Sequence, residues 1–174
     1  MRPVSGVVLL SVLAGCATAP AAPDRALDSP FSLERDLAGS TVARGEFRSI
    51  TGVRRGFTAT LTGTQEGDVF TLDEEFVYDD GERDRKTWRL TRTGPGRYLG
   101  SREDVIGEAR GFQDGNFFRL EYNVRLPSKN GSGRIVRFRD VLYLEPGGVG
   151  NDATVGWRGL RVGSVKLKIE RAGS

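Results

Sequence analysis

The stretch N-F-F-R-L-E-Y-N-V-R-L, residues 116–126, decides the fold class because its apolar and polar side chains alternate without a break. The apolar positions are Phe118, Leu120, Tyr122, Val124 and Leu126. Successive side chains of a β-strand point to opposite faces, whereas a helix would scatter these residues around its axis. The stretch therefore predicts a strand with one buried and one solvated face.

The same alternation recurs along the chain and predicts an all-β domain. It is clear again at residues 162–171, where Val165, Leu167 and Ile169 alternate with charged side chains. Further strands are predicted at residues 41–50, 55–62, 69–78, 85–93, 97–101, 107–113 and 133–144. Glycine, with 24 occurrences in 174 residues, is about twice as frequent as usual, and short Gly-, Pro- and Asp-rich turns separate most of the strands.

Nine or ten strands joined by short turns are typical of a meander with one apolar face, which must close on itself to bury that face. We therefore expect a single antiparallel up-and-down β-barrel of about 8–10 strands over residues 31–171, with one possible helical turn at residues 32–36. A membrane-spanning barrel has the same alternation with its apolar face outward, so the pattern leaves that alternative open.

The N-terminus has the organisation of a secretory signal. A basic start is followed by an apolar run of about 11 residues and by L-A-G-C, which ends at Cys16 and resembles the lipobox of bacterial lipoproteins. This resemblance implies removal of residues 1–15 and a lipid anchor on Cys16, and Ala17 favours the periplasmic face of the outer membrane. Residues 16–30, rich in Ala and Pro, are expected to form a flexible tether. A buried cysteine in an uncleaved helix is the alternative.

Several function classes lack the residues that they need. There is no histidine, and Cys16 is the only cysteine, so neither a Ser-His-Asp nor a Cys-His arrangement can form. The net charge of +3 is spread along the chain, which predicts no nucleic-acid partner. No glycine-rich phosphate loop precedes a helix. We therefore predict no catalytic residue, no cofactor and no metal.

The acidic stretch D-D-G-E, residues 79–82, has two interpretations. Asp80-Gly81 is a residue pair favoured in tight primed turns, in which both central residues have positive φ, so the stretch is chiefly expected to turn a hairpin. A calcium site is the sharper alternative, although the spacing differs from that of the twelve-residue calcium loop.

Two carboxylates fall on the apolar face of predicted strands. Glu74 lies between Leu72 and Phe76, and Asp140 lies between Phe138 and Leu142. A carboxylate inside a barrel must find a partner or become neutral. The expectations are a buried ion pair with an arginine, such as Arg44 or Arg89, or a polar fixture in a ligand cavity. The residues predicted to line that cavity are Glu74, Phe76, Tyr78, Trp88, Phe118, Tyr122, Phe138 and Asp140.

Several blocks resemble the DUF3833 family of proteobacterial lipoproteins. They are T-L-D-E-E-F-V-Y-D-D-G-E (71–82), K-T-W (86–88), G-R-Y-L-G-S (96–101), D-V-I-G-E-A-R-G (104–111), F-R-D-V-L-Y-L (138–144) and V-G-S-V-K-L (162–167). The resemblance implies a lipocalin-like barrel and, weakly, a lipid context; it implies no reaction.

Three functions follow as hypotheses. The first is a lipid-anchored envelope protein that binds a fatty acyl chain or another apolar small molecule inside its barrel. The second is a structural or interaction protein of the outer membrane with a filled barrel, using outward Phe117 and Tyr143. The third is an enzyme relying on Glu74 and Asp140, which would need the two carboxylates close together in a cavity. Membrane attachment through the anchor and a fatty acid or lipid ligand are the expected partners.

Overall fold

The computed structural model describes residues 18–126 and 133–173, which form one short helix and ten strands. In chain order these are α1 (Leu33–Asp36), β1 (Gly39–Ser49), β2 (Arg54–Glu66), β3 (Val69–Tyr78), β4 (Arg83–Gly94), β5 (Arg97–Ser101), β6 (Ala109–Asp114), β7 (Phe117–Leu126), β8 (Arg134–Glu145), β9 (Gly148–Trp157) and β10 (Leu160–Arg171). The whole predicted signal, residues 1–15, and the predicted anchor, Cys16, lie outside the described part.

The strands form a closed barrel in which each strand pairs antiparallel with its neighbours in sequence and β1 pairs with β10. Closure leaves no sheet edge among these strands. The apolar residues of the alternating stretches point inward, as Phe118, Leu120 and Tyr122 of β7 show, each at most 7% exposed. The predicted fold class, an all-β lipocalin-like up-and-down barrel, is confirmed, and the apolar face is the inner one. No helix in the described ranges is long and apolar enough to cross a membrane.

Strand β9 was not predicted. Its sequence, G-V-G-N-D-A-T-V-G-W, is rich in small and turn-forming residues and has no regular alternation. The structure explains the pattern, because β9 is covered on both faces. Ala153 and Val155 face the interior, while Asp152 and Thr154 on the outer face are each only 7% exposed.

The outer cover is the N-terminal segment, residues 18–30, which composition assigned to a tether. This segment lies along the barrel wall. The guanidinium of Arg25 contacts Glu145 and Asp152, with N–O distances of 2.7 Å each, and lies over the ring of Tyr143. Thr154 donates a hydrogen bond to the carbonyl of Thr18 at 2.7 Å. Tyr143, expected to be an outward contact residue, is therefore fully buried.

The two ends of the barrel differ. Helix α1 lies across the end at which β1 begins, with Leu33 and Leu37 buried and lining the interior. Gly63 of β2 permits this closure, since a Cβ there would lie 1.9 Å from the carbonyl oxygen of Leu37. The opposite end, here called the mouth, includes the β1–β2, β3–β4, β5–β6 and β9–β10 connections of the described residues. Exposed aliphatic side chains surround it, among them Ile50 and Leu160.

The acidic stretch turns the β3–β4 hairpin at the mouth, as expected, but the turn is not a primed one. Gly81 has φ +82°, whereas Asp80 does not have positive φ. The amide of Gly81 donates to the carbonyl of Tyr78 at 2.9 Å, and the amide of Tyr78 donates to the carbonyl of Glu82 at 2.9 Å. Three residues, of which the last is a left-handed glycine, therefore lie between the hydrogen-bonded Tyr78 and Glu82, in place of a two-residue primed turn.

Candidate functional site

The barrel encloses a cavity of about 350 Å³ that extends from α1 to the mouth. This volume lies within the usual range of small-molecule sites. All eight residues predicted to line a ligand cavity do border it: Glu74, Phe76, Tyr78, Trp88, Phe118, Tyr122, Phe138 and Asp140. Their role in binding stays a prediction.

Most of the lining is apolar or aromatic. Leucines from α1, β2, β3, β4 and β8 line the end near α1, and Phe57, Phe76 and Tyr78 form an aromatic group nearer the mouth. The ring centroids of Phe57 and Phe76 are 5.6 Å apart, and those of Phe76 and Tyr78 are 6.0 Å apart. The guanidinium of Arg55 lies 3.7 Å from the centroid of the Tyr78 ring, which is close enough for a cation–π contact. The mouth thus presents aromatic faces to the cavity.

A polar residue that the sequence did not reveal, Arg102, lies in the middle of this lining. It follows the short strand β5 and begins the β5–β6 connection. This connection continues the barrel wall, because the amide of Ile106 donates to Asn123 of β7 at 2.8 Å. Glu103 accepts the amide of Thr87 on the other side, at 3.0 Å. Contacts on both sides fix the connection and direct Arg102 inward.

Four groups surround the guanidinium of Arg102. Asp104 accepts hydrogen bonds from Nε of Arg102 at 2.8 Å and from Nη2 of Arg102 at 3.2 Å. The third nitrogen of Arg102, Nη1, lies 3.5 Å from Oε2 of Glu74. The guanidinium carbon lies 4.6 Å from the centroid of Trp88 and 5.4 Å from that of Tyr122. Arg102 is only 12% exposed, so it is a buried cation held by carboxylates and aromatic faces.

The predicted ion pair of Glu74 with an arginine is therefore present, but its partner is Arg102. The sequence reasoning named Arg44 or Arg89, and both suggestions were wrong. Arg44 points outward and lies 3.5 Å from Glu170, and Arg89 is exposed on the outer face of β4. Arg102 lies in a polar stretch without alternating apolar residues, so periodicity does not indicate that its side chain points inward. The available signal was that a buried carboxylate needs a cation as its partner.

Glu74 and Asp140 come from opposite walls of the barrel, because β3 and β8 are five strands apart in either direction around the ring.

Tyr122 connects Asp140 to the aromatic lining. Its hydroxyl donates to Oδ2 of Asp140 at 3.1 Å, and its ring packs edge-on against Trp88 with centroids 4.9 Å apart. The ring also stacks on Phe138, at 5.2 Å between centroids. Below, "the polar belt" means Glu74, Arg102, Tyr122, Asp140 and Asn151, all of which line the cavity.

Burial shifts both carboxyl groups of the polar belt toward neutrality. It raises the pKa of Glu74 from an ordinary 4.5 to about 7, with the charge of Arg102 opposing this rise and that of Asp140 adding to it. Burial also raises the pKa of Asp140, from 3.8 to about 7, although the hydrogen bond from Tyr122 opposes the rise.

Three buried oxygens of the polar belt have no hydrogen-bond partner. They are Oε2 of Glu74, Oδ1 of Asp140 and Oδ1 of Asn151. Such groups are uncommon in folded proteins, because an unpaired buried acceptor loses its water without a replacement. Three of the four such groups found in the described residues belong to side chains that line one cavity, which makes this belt the strongest candidate for contact with a ligand.

Comparison with known structures gives a similar barrel. The S-type phycobiliprotein lyase CPES from Guillardia theta superposes with a TM-score of 0.60 at 11% sequence identity, covering 82% of this chain and 91% of that chain. At this identity the likeness shows the fold alone. No curated protein matches the chain.

The sequence blocks that resemble DUF3833 extend over most of the barrel. The model of that family, described as a protein of unknown function, matches residues 10–171. The match includes all strands and every residue of the polar belt. The chain therefore belongs to the DUF3833 family.

Proposed function

We propose that this protein binds a fatty acyl chain or another apolar small molecule inside its barrel while a lipid anchor on Cys16 holds it at the periplasmic face of the outer membrane. The observation that carries the proposal is the cavity of about 350 Å³, lined mainly by apolar side chains and crossed by one polar belt. Small-molecule sites commonly combine an apolar lining with a few convergent polar groups. The apolar lining holds the body of the ligand, and the belt orients its polar end.

Two further observations support binding inside the barrel. The exposed aliphatic side chains Ile50 and Val53, in the β1–β2 turn, and Leu160, at the start of β10, lie at the mouth, where an apolar molecule would enter. The barrel also resembles that of a phycobiliprotein lyase, and this likeness is consistent with a small molecule bound inside the barrel described here.

The second candidate, an interaction protein with a filled barrel, has less support. The interior holds a cavity, and Tyr143, one of the two residues suggested as outward contacts, is covered by Arg25. Phe117 is half-buried. The first candidate therefore fits the described residues better.

The test fills the cavity and measures binding. Ala59 lies on the inner face of β2 with 1% exposure, and the next residue, Thr60, is exposed on the outer face. We expect Ala59→Phe to abolish binding of a fluorescent acyl probe, and Thr60→Phe, which adds an aromatic ring outside the barrel, to leave binding unchanged. Native mass spectrometry of the gently purified wild type should show a bound apolar molecule that Ala59→Phe lacks.

Folding of both variants is checked by circular dichroism. A folded wild type that binds neither the probe nor any co-purified molecule would reject the binding function and favour the filled-barrel alternative. Equal binding by wild type and Ala59→Phe would place the bound molecule outside the cavity.

A further inference from the structure

The polar belt, whose residues line the cavity, has more acceptors without a hydrogen-bond partner than free donors. The Nε and Nη2 groups of Arg102 already donate to Asp104, and its Nη1 is directed toward Glu74. The hydroxyl of Tyr122 already donates to Asp140. One oxygen on each of three side chains has no hydrogen-bond partner: Glu74, Asp140 and Asn151. That of Glu74 is the oxygen that lies 3.5 Å from Nη1 of Arg102.

The charges around the belt also favour a donor over an acceptor. The positive charge of Arg102 is balanced by the carboxylate of Asp104, which accepts two hydrogen bonds from it. Lys86, the next cation, lies 2.9 Å from Asp84 and 3.5 Å from Asp104. Two cations therefore face two carboxylates before Glu74 and Asp140 are counted, so ionisation of these two leaves the interior with an excess of negative charge.

We propose that the ligand presents N–H or O–H donors to Glu74, Asp140 and Asn151, with an ammonium group as the best donor, and that it is not a free carboxylate. This inference rests on the proposed function, because it specifies the polar end of the molecule that the cavity binds. An acyl chain fits when it carries an amide, hydroxyl or amine group. A free fatty acid does not fit, since its carboxylate would meet unpaired acceptors.

The physical reason is the state of the three oxygens. A donor restores the hydrogen bonds that burial removed, and a bond between an ammonium and a carboxylate is among the strongest that proteins make. A ligand carboxylate would add negative charge inside a poorly hydrated interior, where like charges repel more strongly than in water. A cationic donor would also offset the burial that raises the pKa of Glu74 and Asp140.

The experiment compares ligands that differ only at the polar end. Dodecylamine, dodecanol, methyl laurate and laurate are titrated into the purified full chain at pH 8, below their micelle concentrations, by displacement of a fluorescent apolar probe. At this pH the ammonium and the laurate carboxylate are charged, and both belt carboxyl groups, with pKa about 7, are mainly ionised. Dodecanol and methyl laurate are uncharged and separate hydrogen-bond donation from charge.

We expect dodecylamine to bind at least about tenfold more tightly than laurate, and dodecanol more tightly than methyl laurate. Glu74→Gln and Asp140→Asn should each weaken dodecylamine about tenfold while changing methyl laurate little. Glu75→Gln is the matched control, because Glu75 is the neighbour of Glu74, points outward and is 59% exposed. It should change neither ligand.

Two results would overturn these statements in different ways. Binding of laurate as tight as that of dodecylamine would refute the donor inference and leave cavity binding intact. Failure of all four ligands and of the apolar probe to bind the folded wild type would remove the proposed function itself.

Discussion

Replacement of Asp140 by Asn should remove much of a pH dependence of stability that originates inside the barrel. Burial raises the pKa of this carboxyl group in the folded protein from 3.8 to about 7. The folded protein therefore keeps the proton over a wider pH range than the unfolded chain. The resulting stabilisation is complete below about pH 4 and is lost as the pH rises through about 7.

The size of the effect follows from the two pKa values. Between pH 5 and pH 8 the unfolded group is ionised almost throughout, while the folded group releases its proton. At about 1.4 kcal/mol for each pKa unit, Asp140 lowers the free energy of unfolding by about 3 kcal/mol over this interval. Asparagine has nearly the same shape, can still accept the hydrogen bond from Tyr122 and does not ionise.

The assay is urea denaturation at pH 5 and pH 8, followed by circular dichroism. We expect Asp140→Asn to stabilise the protein relative to wild type by about 3 kcal/mol more at pH 8 than at pH 5. Glu74 also titrates in this interval and loses the effect of the Asp140 charge in the variant, so the difference includes a smaller contribution from Glu74. Asp68→Asn, in an exposed turn, is the control and should show no such difference. An equal stability difference at both pH values would refute the reasoning, because it would mean that Asp140 is ionised throughout.

Three further predictions concern other parts of the chain. Arg102→Leu should lower the free energy of unfolding by roughly 3 kcal/mol, because it leaves buried carboxylates without their cation, whereas Arg97→Leu on the exposed face should have little effect; urea denaturation at pH 8 distinguishes them. Burial of Glu34 would raise the pKa of its carboxyl group, but hydrogen bonds, led by that from Tyr98, lower this pKa to about 2. The ionised group therefore stabilises the fold above about pH 4.5, and this stabilisation is lost as the pH falls toward 2. Glu34→Gln should therefore lower stability by about 1 kcal/mol at pH 7 and not at pH 2, and thermal melts that show the same loss at both would contradict this. Cys16→Ser should move the protein from the membrane fraction to the soluble fraction on cell fractionation, and retention at the membrane would refute the proposed anchor.

Strand prediction was successful wherever only one face of a strand is covered. In β7 and β10 one face meets the interior and the other meets water, so the sequence alternates and indicates both the strand and its inward face. Strand β9 has no such signal, because residues 18–30 cover the outer face on which Asp152 and Thr154 lie. Composition suggested a tether for that segment, since its contacts are made by the side chains of Arg25 and Asp28 and by a few backbone groups, which no periodicity marks.

The candidate site shows the same division. Alternation alone placed Glu74 and Asp140 on inner faces and identified the aromatic lining. It did not show that the two carboxyl groups come from opposite walls of one cavity, because that depends on how ten strands close into a ring. It also did not reveal Arg102, which enters the interior from a connection between two short strands.

The sequence by itself therefore determined the all-β class, the inward residues of most strands, the resemblance to DUF3833 and the presence of buried carboxyl groups that require partners. These properties are local, because they depend on which of two alternating faces a side chain occupies. Only the tertiary structure decided the ten-strand closure, the covering of β8 and β9 by the N-terminal segment and the partner of Glu74. It also decided which three oxygens of the cavity-lining polar belt have no hydrogen-bond partner. Each of these depends on contacts between residues far apart in the chain, and neither periodicity nor composition contains that information.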